Sequence, residues 1–383
     1  MSIFMRLAFI AIVVLVHIFI YFVLFKNISA SPLIKGMAKC LVLANFLCLL
    51  IFFKLYHDGQ IGATTYNVIS CSVGILWICF VVALLVWGLS WGIRLGFGAL
   101  TLEKWQGTLL LNAWILIFIL FLMGIMTNSN KALIVKQTIE LPGLTRPINI
   151  AQLSDIHITV SMNKKEVAEL VEQTNSLNPD LVVLTGDIVD SPSIVANQAI
   201  QELANLKSKY GVYYVLGNHE YYYDTDKILK SLKIAGVTTL VNQSMILKNL
   251  RLNISGLADL AGDRPFFKNK GLEPSIEDAL KANQADFPTI LLAHQPKVID
   301  KLKDEKVDLI ISGHTHGGQI FPFNFLVKLD QPFVSGLHEF FYANKSKKAQ
   351  IYISKGAGWW GPPLRLFDGR EINFLQLVAS KSA

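Results

Sequence analysis

Beyond Cys79 the chain has no cysteine: all four of its cysteines, Cys40, Cys48, Cys71 and Cys79, lie near its start. That absence excludes a thiolate metal site and a disulfide framework from everything that follows. Acidic residues are as scarce in the early part. Up to residue 129 only Asp58 and Glu103 are acidic, against Arg6, Lys26, Lys35, Lys39, Lys54, Arg94 and Lys104. Most of the formal net charge of +7 therefore belongs to an apolar segment, while the remainder is close to balance and has no basic run. Nucleic-acid recognition needs a basic stripe or patch, so no nucleic-acid partner is expected. Internal repeats and low-complexity tracts are also lacking, which excludes solenoid and disordered classes.

What the first 129 residues do have is apolar length. Leu7 to Phe25 contains a single ionisable residue, His17, and is about the ~20 residues needed to cross a bilayer. Ile28-Ser29-Ala30 resembles a signal-peptidase site, but the preceding run is long for a signal peptide and more runs follow. A second run centres on Cys40 to Phe53, with Lys35, Lys39 and Lys54 near enough to its ends to snorkel. A third, Val68 to Ile93, carries no charge, and a fourth, Leu109 to Met126, is interrupted mainly by Asn112. Trp87, Trp91 and Trp105 flank the connection between these last two, where amphipathic rings suit an interface. Four such segments exceed what a soluble core can hide. Residues 1–129 are expected to form a transmembrane region with four helices, multi-pass in the cell membrane and in contact with membrane lipid. The first loop holds Lys26, Lys35 and Lys39 without an acid, whereas Leu55 to Tyr66 holds Asp58 and no Lys or Arg. Counted in full the two sides tie, Lys26, Lys35, Lys39, Arg94 and Lys104 against Arg6, Lys54, Lys131, Lys136 and Arg146, and it is the weight given to these two connecting loops that places loops one and three inside and the C-terminal domain on the extracytoplasmic side.

Thr127 to Lys136 reads as a short polar linker, and from there the period changes. Strands are expected at Ile148–Leu153, Asp180–Leu184, Val212–Leu216, Val237–Val241, Met245–Ser255, Thr289–Ala293 and into Ser312. Between them, helices are expected at Lys164–Leu177, Ile194–Leu206, Lys227–Ala235, Ser275–Ala282 and Pro296–Leu302. Such alternation implies a layered α/β fold. Strand after strand here ends in residues that bind metals: Asp155-Ile156-His157, Gly186-Asp187, Gly217-Asn218-His219-Glu220, His294, and Gly313-His314-Thr315-His316. Five of the eight histidines fall in these segments. Singly, each has an ordinary explanation as a cap or turn; together they describe a site assembled at the carboxyl ends of sheet strands.

This series, D-x-H, G-D, G-N-H-E, H and G-H-x-H over Asp155 to His316, resembles the calcineurin-like metallophosphoesterase superfamily. The ending Gly-His-Thr-His-Gly-Gly-Gln, with Ser354-Lys355-Gly356 and Trp360-Gly361-Pro362-Pro363, resembles its bacterial membrane-associated branch. The resemblance implies, for residues 130–383, a catalytic domain built as a ββ-sandwich flanked by helices, α/β in class, around two divalent ions. It implies that Asp155, His157 and His316 bind one ion, that Asn218, His294 and His314 bind the other, that Asp187 bridges them, and that His219 lies beside the site as a catalytic residue. The ligand set, nitrogen and oxygen without sulfur, suits Mn, Fe, Zn or Co alike. Two divalent ions outweigh Asp155, Asp187 and one hydroxide, so the loaded site keeps positive charge to attract an anionic phosphoester. An Asp in place of Asn218 would cancel it.

The expected function is a membrane-anchored, dinuclear-metal-dependent phosphoesterase acting on a phosphoester or pyrophosphate. The alternative is a non-catalytic membrane scaffold with a structural metal site, which would have no use for His219. Phe321-Pro322-Phe323-Asn324-Phe325-Leu326 follows the last metal motif, and Trp359-Trp360 with Arg365 lies near the end of the fold. Either these aromatics fill the core, or they form an apolar rim suited to a lipid-linked substrate. Relatives in the superfamily that cleave a nucleotide-linked acylated sugar of the UDP-diacylglucosamine type suggest one such substrate, and an envelope phospholipid is another.

Overall fold

The computed structural model describes residues 3–26, 31–56, 61–268, 271–342 and 348–380. Ile28 to Ala30 and Asp58, which entered the reading of the first two loops, lie outside these residues. Contacts divide the chain into two units: one holds the N-terminal helices and the segment Gly361–Phe367, the other the remainder from Asn130 onward.

The helical unit consists of α1 (Ile3–Ile20), extended by a π-helical turn at Tyr21–Phe25, α2 (Pro32–Leu55), α3 (Ala63–Phe97) and α4 (Ala99–Ser129). All four are long and apolar enough to cross a membrane. Ser31 starts α2 by accepting from the Ile34 N–H, with Pro32 at the first helical position, where its missing N–H costs nothing. The expected third loop is not there. Only Gly98 separates α3 from α4, at φ 88°, a backbone conformation cheap for glycine alone. Trp87, Trp91, Arg94, Trp105 and Lys104 therefore sit within helices, because apolar helices at 35 and 31 residues run well past the ~20 needed for one crossing. Gly361–Phe367 packs here closely: the Arg365 N–H donates to Gly124 O at 3.0 Å, and a Cβ on Gly124 would sit 2.7 Å from Leu364.

The second unit is a sandwich of two six-stranded sheets. The first has the order β1 (Leu133–Leu141), β12 (Glu371–Ala379), β2 (Ile148–Leu153), β3 (Leu181–Thr185), β4 (Val212–Val215), β5 (Thr238–Thr239). The second has the order β10 (Gly336–Phe341), β11 (Lys348–Ile353), β9 (Leu309–Ser312), β8 (Thr289–Leu292), β7 (Leu252–Gly256), β6 (Gln243–Leu247). Strands β2 to β5 run parallel, as do β7, β8, β9 and β11. Ile150, Leu181, Val183 and Val215 from one sheet meet Ile254, Ile290, Leu292, Leu309 and Ile311 from the other in the layer between. The outer face of the first sheet buries Val167, Leu170 and Val171 of α5 (Lys164–Ser176), Ala196 and Ile200 of α6 (Ser193–Glu202), and Ile228 and Leu232 of α7 (Thr225–Ile234). Parallel strands covered on both faces explain their unbroken apolar sequences.

Several expectations need correction. The polar linker at Thr127–Lys136 is instead the end of α4 and the start of β1, which β12 supports along its whole length. Met245–Ser255 is not one strand but the hairpin β6–β7, turned at Lys248–Leu250 with Arg251 left-handed at φ 49°. The strand expected at Val237–Val241 reduces to two residues, Ser275–Ala282 contracts to α8 (Ile276–Leu280), and Pro296–Lys301 is 3-10 rather than α-helical.

Candidate metal centre

The five parallel strands β2, β3, β4, β8 and β9 deliver the motif residues at their carboxyl ends, three from one sheet and two from the other. Gln152 ties the sheets together beneath them, its Nε2 donating to Ser312 O and Thr185 Oγ1, each at 2.8 Å. Past β2 the backbone stays paired, with the Asp155 N–H donating to Gly186 O and the His157 N–H to Asp187 O. Asp155, His157, Asp187, His314 and His316 all adopt positive φ, between 49° and 72°. Such conformations cost of order 1–3 kcal/mol each, and persist only where surrounding bonds over-determine them. Gly217 is required because a side chain there would collide with the backbone and carboxylate of Asp187.

The donor atoms form two groups. In one, His157 Nε2 lies 2.9 Å from His316 Nε2, which is 3.4 Å from Asp155 Oδ1. In the other, His294 Nε2 lies 3.1 Å from Asp187 Oδ2, 3.2 Å from His314 Nδ1 and 3.2 Å from Asn218 Oδ1. Asp187 Oδ2 is also 3.8 Å from His157 Nε2, so it reaches both groups. Separations near 3–3.5 Å are what two ligands on one ion show when each bond is about 2.0–2.2 Å. The proton arrangement fits too. His294 Nδ1 faces Thr185 O at 2.8 Å and His157 Nδ1 faces the Asp190 carboxylate at 3.1 Å, so each Nδ1–H donates outward and each Nε2 lone pair is left facing the centre.

The field favours cations. Burial pulls the His294 pKa down, yet Asp187, Asp155 and Asp259 outweigh it and hold it well above the ordinary value. Burial would raise Asp187, but His294 and His219 hold it well below the usual carboxylate range. His314 goes the other way, to about 3, through burial and the charge of His294. His219 meets the same opposition between burial and the carboxylates Asp190 and Asp187, and is pushed up to about 9.

All eight residues expected at the site, Asp155, His157, Asp187, Asn218, His219, His294, His314 and His316, are brought together. His219 is half-buried: its Nδ1 donates to Asp190 Oδ1 at 2.7 Å and its Nε2 stands 3.9 Å from Asp187 Oδ2. Two supporting residues escaped the sequence reading. Asp190 holds His157 with one oxygen and His219 with the other, and Tyr223 O–H donates to its carbonyl. Its only signal was its place three residues after Asp187. Fully buried Glu220 accepts four backbone N–H groups, from Gly217 at 2.8 Å, Asp187 at 3.2 Å, Ile188 at 2.7 Å and Val189 at 2.9 Å, joining the G-D and G-N-H-E turns. Burial and the charge of Asp187 push its pKa up to about 7, while the bonds from Val189 and Gly217 pull it down. Four N–H donors suit the carboxylate form.

Aromatic rings border His219 as well: Tyr222 lies 5.6 Å away and Trp360 6.2 Å, both edge-on. Trp359 is core, while Trp360 is 43% exposed.

Comparison with known proteins agrees with this geometry. The model of the calcineurin-like phosphoesterase family matches residues 148–318. A metallophosphoesterase of Helicobacter pylori is 34% identical over 369 residues, covering 93% of this chain and 96% of its own length. Another, from Campylobacter jejuni, is 32% identical over 390 residues, covering 99% and 100%. A bovine transmembrane protein with a metallophosphoesterase domain is 33% identical over 252 residues, 63% of this chain and 55% of its own. A match that spans the strand-end motifs, in relatives aligned along nearly their whole length, means that the chain belongs to the calcineurin-like phosphoesterase family and is a metal-dependent phosphoester hydrolase.

Proposed function

We propose that this protein is a membrane-anchored hydrolase with a transmembrane region at residues 1–129 and a two-metal catalytic domain at residues 130–383, acting on a lipid-linked phosphoester or pyrophosphate. The observation that carries the reading is the position of Asp187 between two groups of converging donors. Asp155, His157 and His316 hold one ion, Asn218, His294 and His314 the other, and Asp187 bridges. Two ions held there supply Lewis-acid polarisation of the phosphoryl group and a water of lowered pKa. The protein's own residues do the rest. Asp190 fixes the His219 Nδ1–H and leaves Nε2 to give its proton to the departing oxygen, and Glu220 keeps the turns bearing Asp187 and Asn218 in register.

Mn, Fe, Zn and Co all suit the donors. The three lysines at the start, Lys26, Lys35 and Lys39, favour a cytoplasmic first connection and hence an extracytoplasmic catalytic domain. On that side the substrate is an envelope phospholipid or another envelope phosphoester rather than a nucleotide-linked lipid.

The test is turnover of bis(4-nitrophenyl) phosphate by the full chain with added manganese, alongside metal analysis. Two ions per chain with no hydrolysis of monoester, diester or pyrophosphate would overturn the reading. Alkaline phosphatase and green fluorescent protein fused separately after Ala383 report the side: phosphatase activity is expected, and fluorescence without it would place the domain in the cytoplasm.

A further inference from the structure

The chain that follows the last candidate ligand is held at both ends and apolar between. At its start, Asn324 stands so close to Gly318 that a Cβ there would lie 2.7 Å from the Asn324 Cβ. Gln319 exchanges two hydrogen bonds with Trp360, its Nε2 donating to Trp360 O at 3.0 Å and its Oε1 accepting from the Trp360 N–H at 2.9 Å. At the far end buried Gln331 accepts from the Lys297 N–H at 3.1 Å, and Lys297 Nζ pairs with Asp330 at 2.8 Å. Between Gln319 and Asp330 lies α9 (Asn324–Val327), and here Phe321, Phe323, Phe325, Leu326 and Leu329 are exposed by 40–84%. Lys328 is exposed among them.

Exposed apolar residues are ordinary when scattered singly, but five large ones within nine residues, on a segment pinned at both ends, form a patch. The patch is continuous with the site. Gln319 joins its base to Trp360, and Trp360 stands edge-on to His219. The same chain carries four helices fit to cross a membrane, and it passes from the last of them to β1 through only Asn130 to Ala132. A bilayer is thus part of the domain's surroundings. Aromatic and leucine side chains around a lysine are the composition of an interfacial anchor, the rings entering the acyl boundary and the lysine reaching the phosphates.

We propose that Phe321–Leu329 is a membrane-docking knuckle seated in bilayer lipid, which brings headgroup phosphoesters to the metal centre along the Gln319–Trp360 edge. As to substrate, this rests on the hydrolase reading above. The docking itself does not, and is tested without turnover. A nitroxide at Phe325→Cys, in the full chain with its four cysteines changed to serine and reconstituted in phosphatidylcholine–phosphatidylglycerol vesicles, is expected to collide with oxygen several-fold more often than with a water-soluble nickel chelate. The control label at Ile194→Cys, 88% exposed on α6, is expected to show the opposite preference. Chelate accessibility at Phe325 equal to that at Ile194 overturns the proposal, and so does accessibility low to both reagents, which would mean a protein partner. In the second arm, Phe325→Ser with Leu329→Ser is expected to raise KM for vesicle phospholipid about tenfold while leaving soluble diester turnover within twofold. Equal losses on both substrates overturn it.

Discussion

The two units bury polar side chains for opposite ends. In the helical unit Ser70 and Ser72 donate back to their own helix, to Asn67 O and Ile69 O, and His17 reaches Val13 O and Asn45, whose Nδ2 donates to Ser72 O. Those groups are satisfied mostly by backbone, and they join helices. In the catalytic unit the imidazoles and carboxylates at the strand ends face one another across the centre, and backbone groups, such as the four N–H donors to Glu220 and the Thr185 carbonyl behind His294, hold them in place. A polar group whose partner is a backbone carbonyl is inert; one whose partners are other ionisable groups is stable only as part of a charged assembly, and is expensive to remove.

The sharpest attempt to break that contrast is Asp187→Ala. It should reduce activity by about 10⁴-fold or more, beyond the loss expected for a single acid or base, and lower occupancy of both ions by metal analysis. Retention of two ions per chain would remove the bridging role. His219→Ala follows, with an expected loss in turnover of about 10²–10⁴-fold and both ions kept. A 4-nitrophenolate leaving group, which needs no proton, should recover part of it; equal losses with good and poor leaving groups would exclude a general acid.

Asp190→Asn should cost about 10–100-fold in activity or metal affinity, since it orients a proposed ligand and the proposed acid together. Its effect in the His219→Ala background should be smaller than in the parent, because the two share one hydrogen bond. Full additivity would show that Asp190 acts on His157 alone. The smallest effect belongs to the helical unit. Asn45→Leu should destabilise it by about 1 kcal/mol, since it removes two interhelical hydrogen bonds worth roughly 0.6 kcal/mol each, measured by unfolding in detergent, with diester turnover unchanged. An activity loss as large as that of Asp190→Asn would abolish the distinction between the units.

The proposed ligands were legible because each is local: a residue of metal-binding type just past a buried apolar strand. The supporting shell was not. Glu220 stood in plain view beside His219, but its role depends on four N–H groups from two segments that only folding aligns. Strand boundaries failed where the pattern was ambiguous, as in Met245–Ser255, where only the polar pair Lys248-Asn249 interrupts the run and the left-handed residue that completes the turn is Arg251 rather than a glycine. By sequence the aromatic runs suit a core and a rim equally well. Burial divided them within one dipeptide, Trp359 inside and Trp360 at the mouth.

Composition and period alone determined that apolar helices precede a layered α/β domain, and the strand-end residues determined the chemistry, because spacing along the chain fixes what a strand can carry at its tip. Tertiary structure decided how the distant parts meet. It inserted β12 between β1 and β2, set three strand ends of one sheet against two of the other, and gave Asp190 two histidines to hold. Those outcomes depend on contacts between residues far apart in sequence, which no local pattern encodes and which exist only once the two sheets have closed on their shared core.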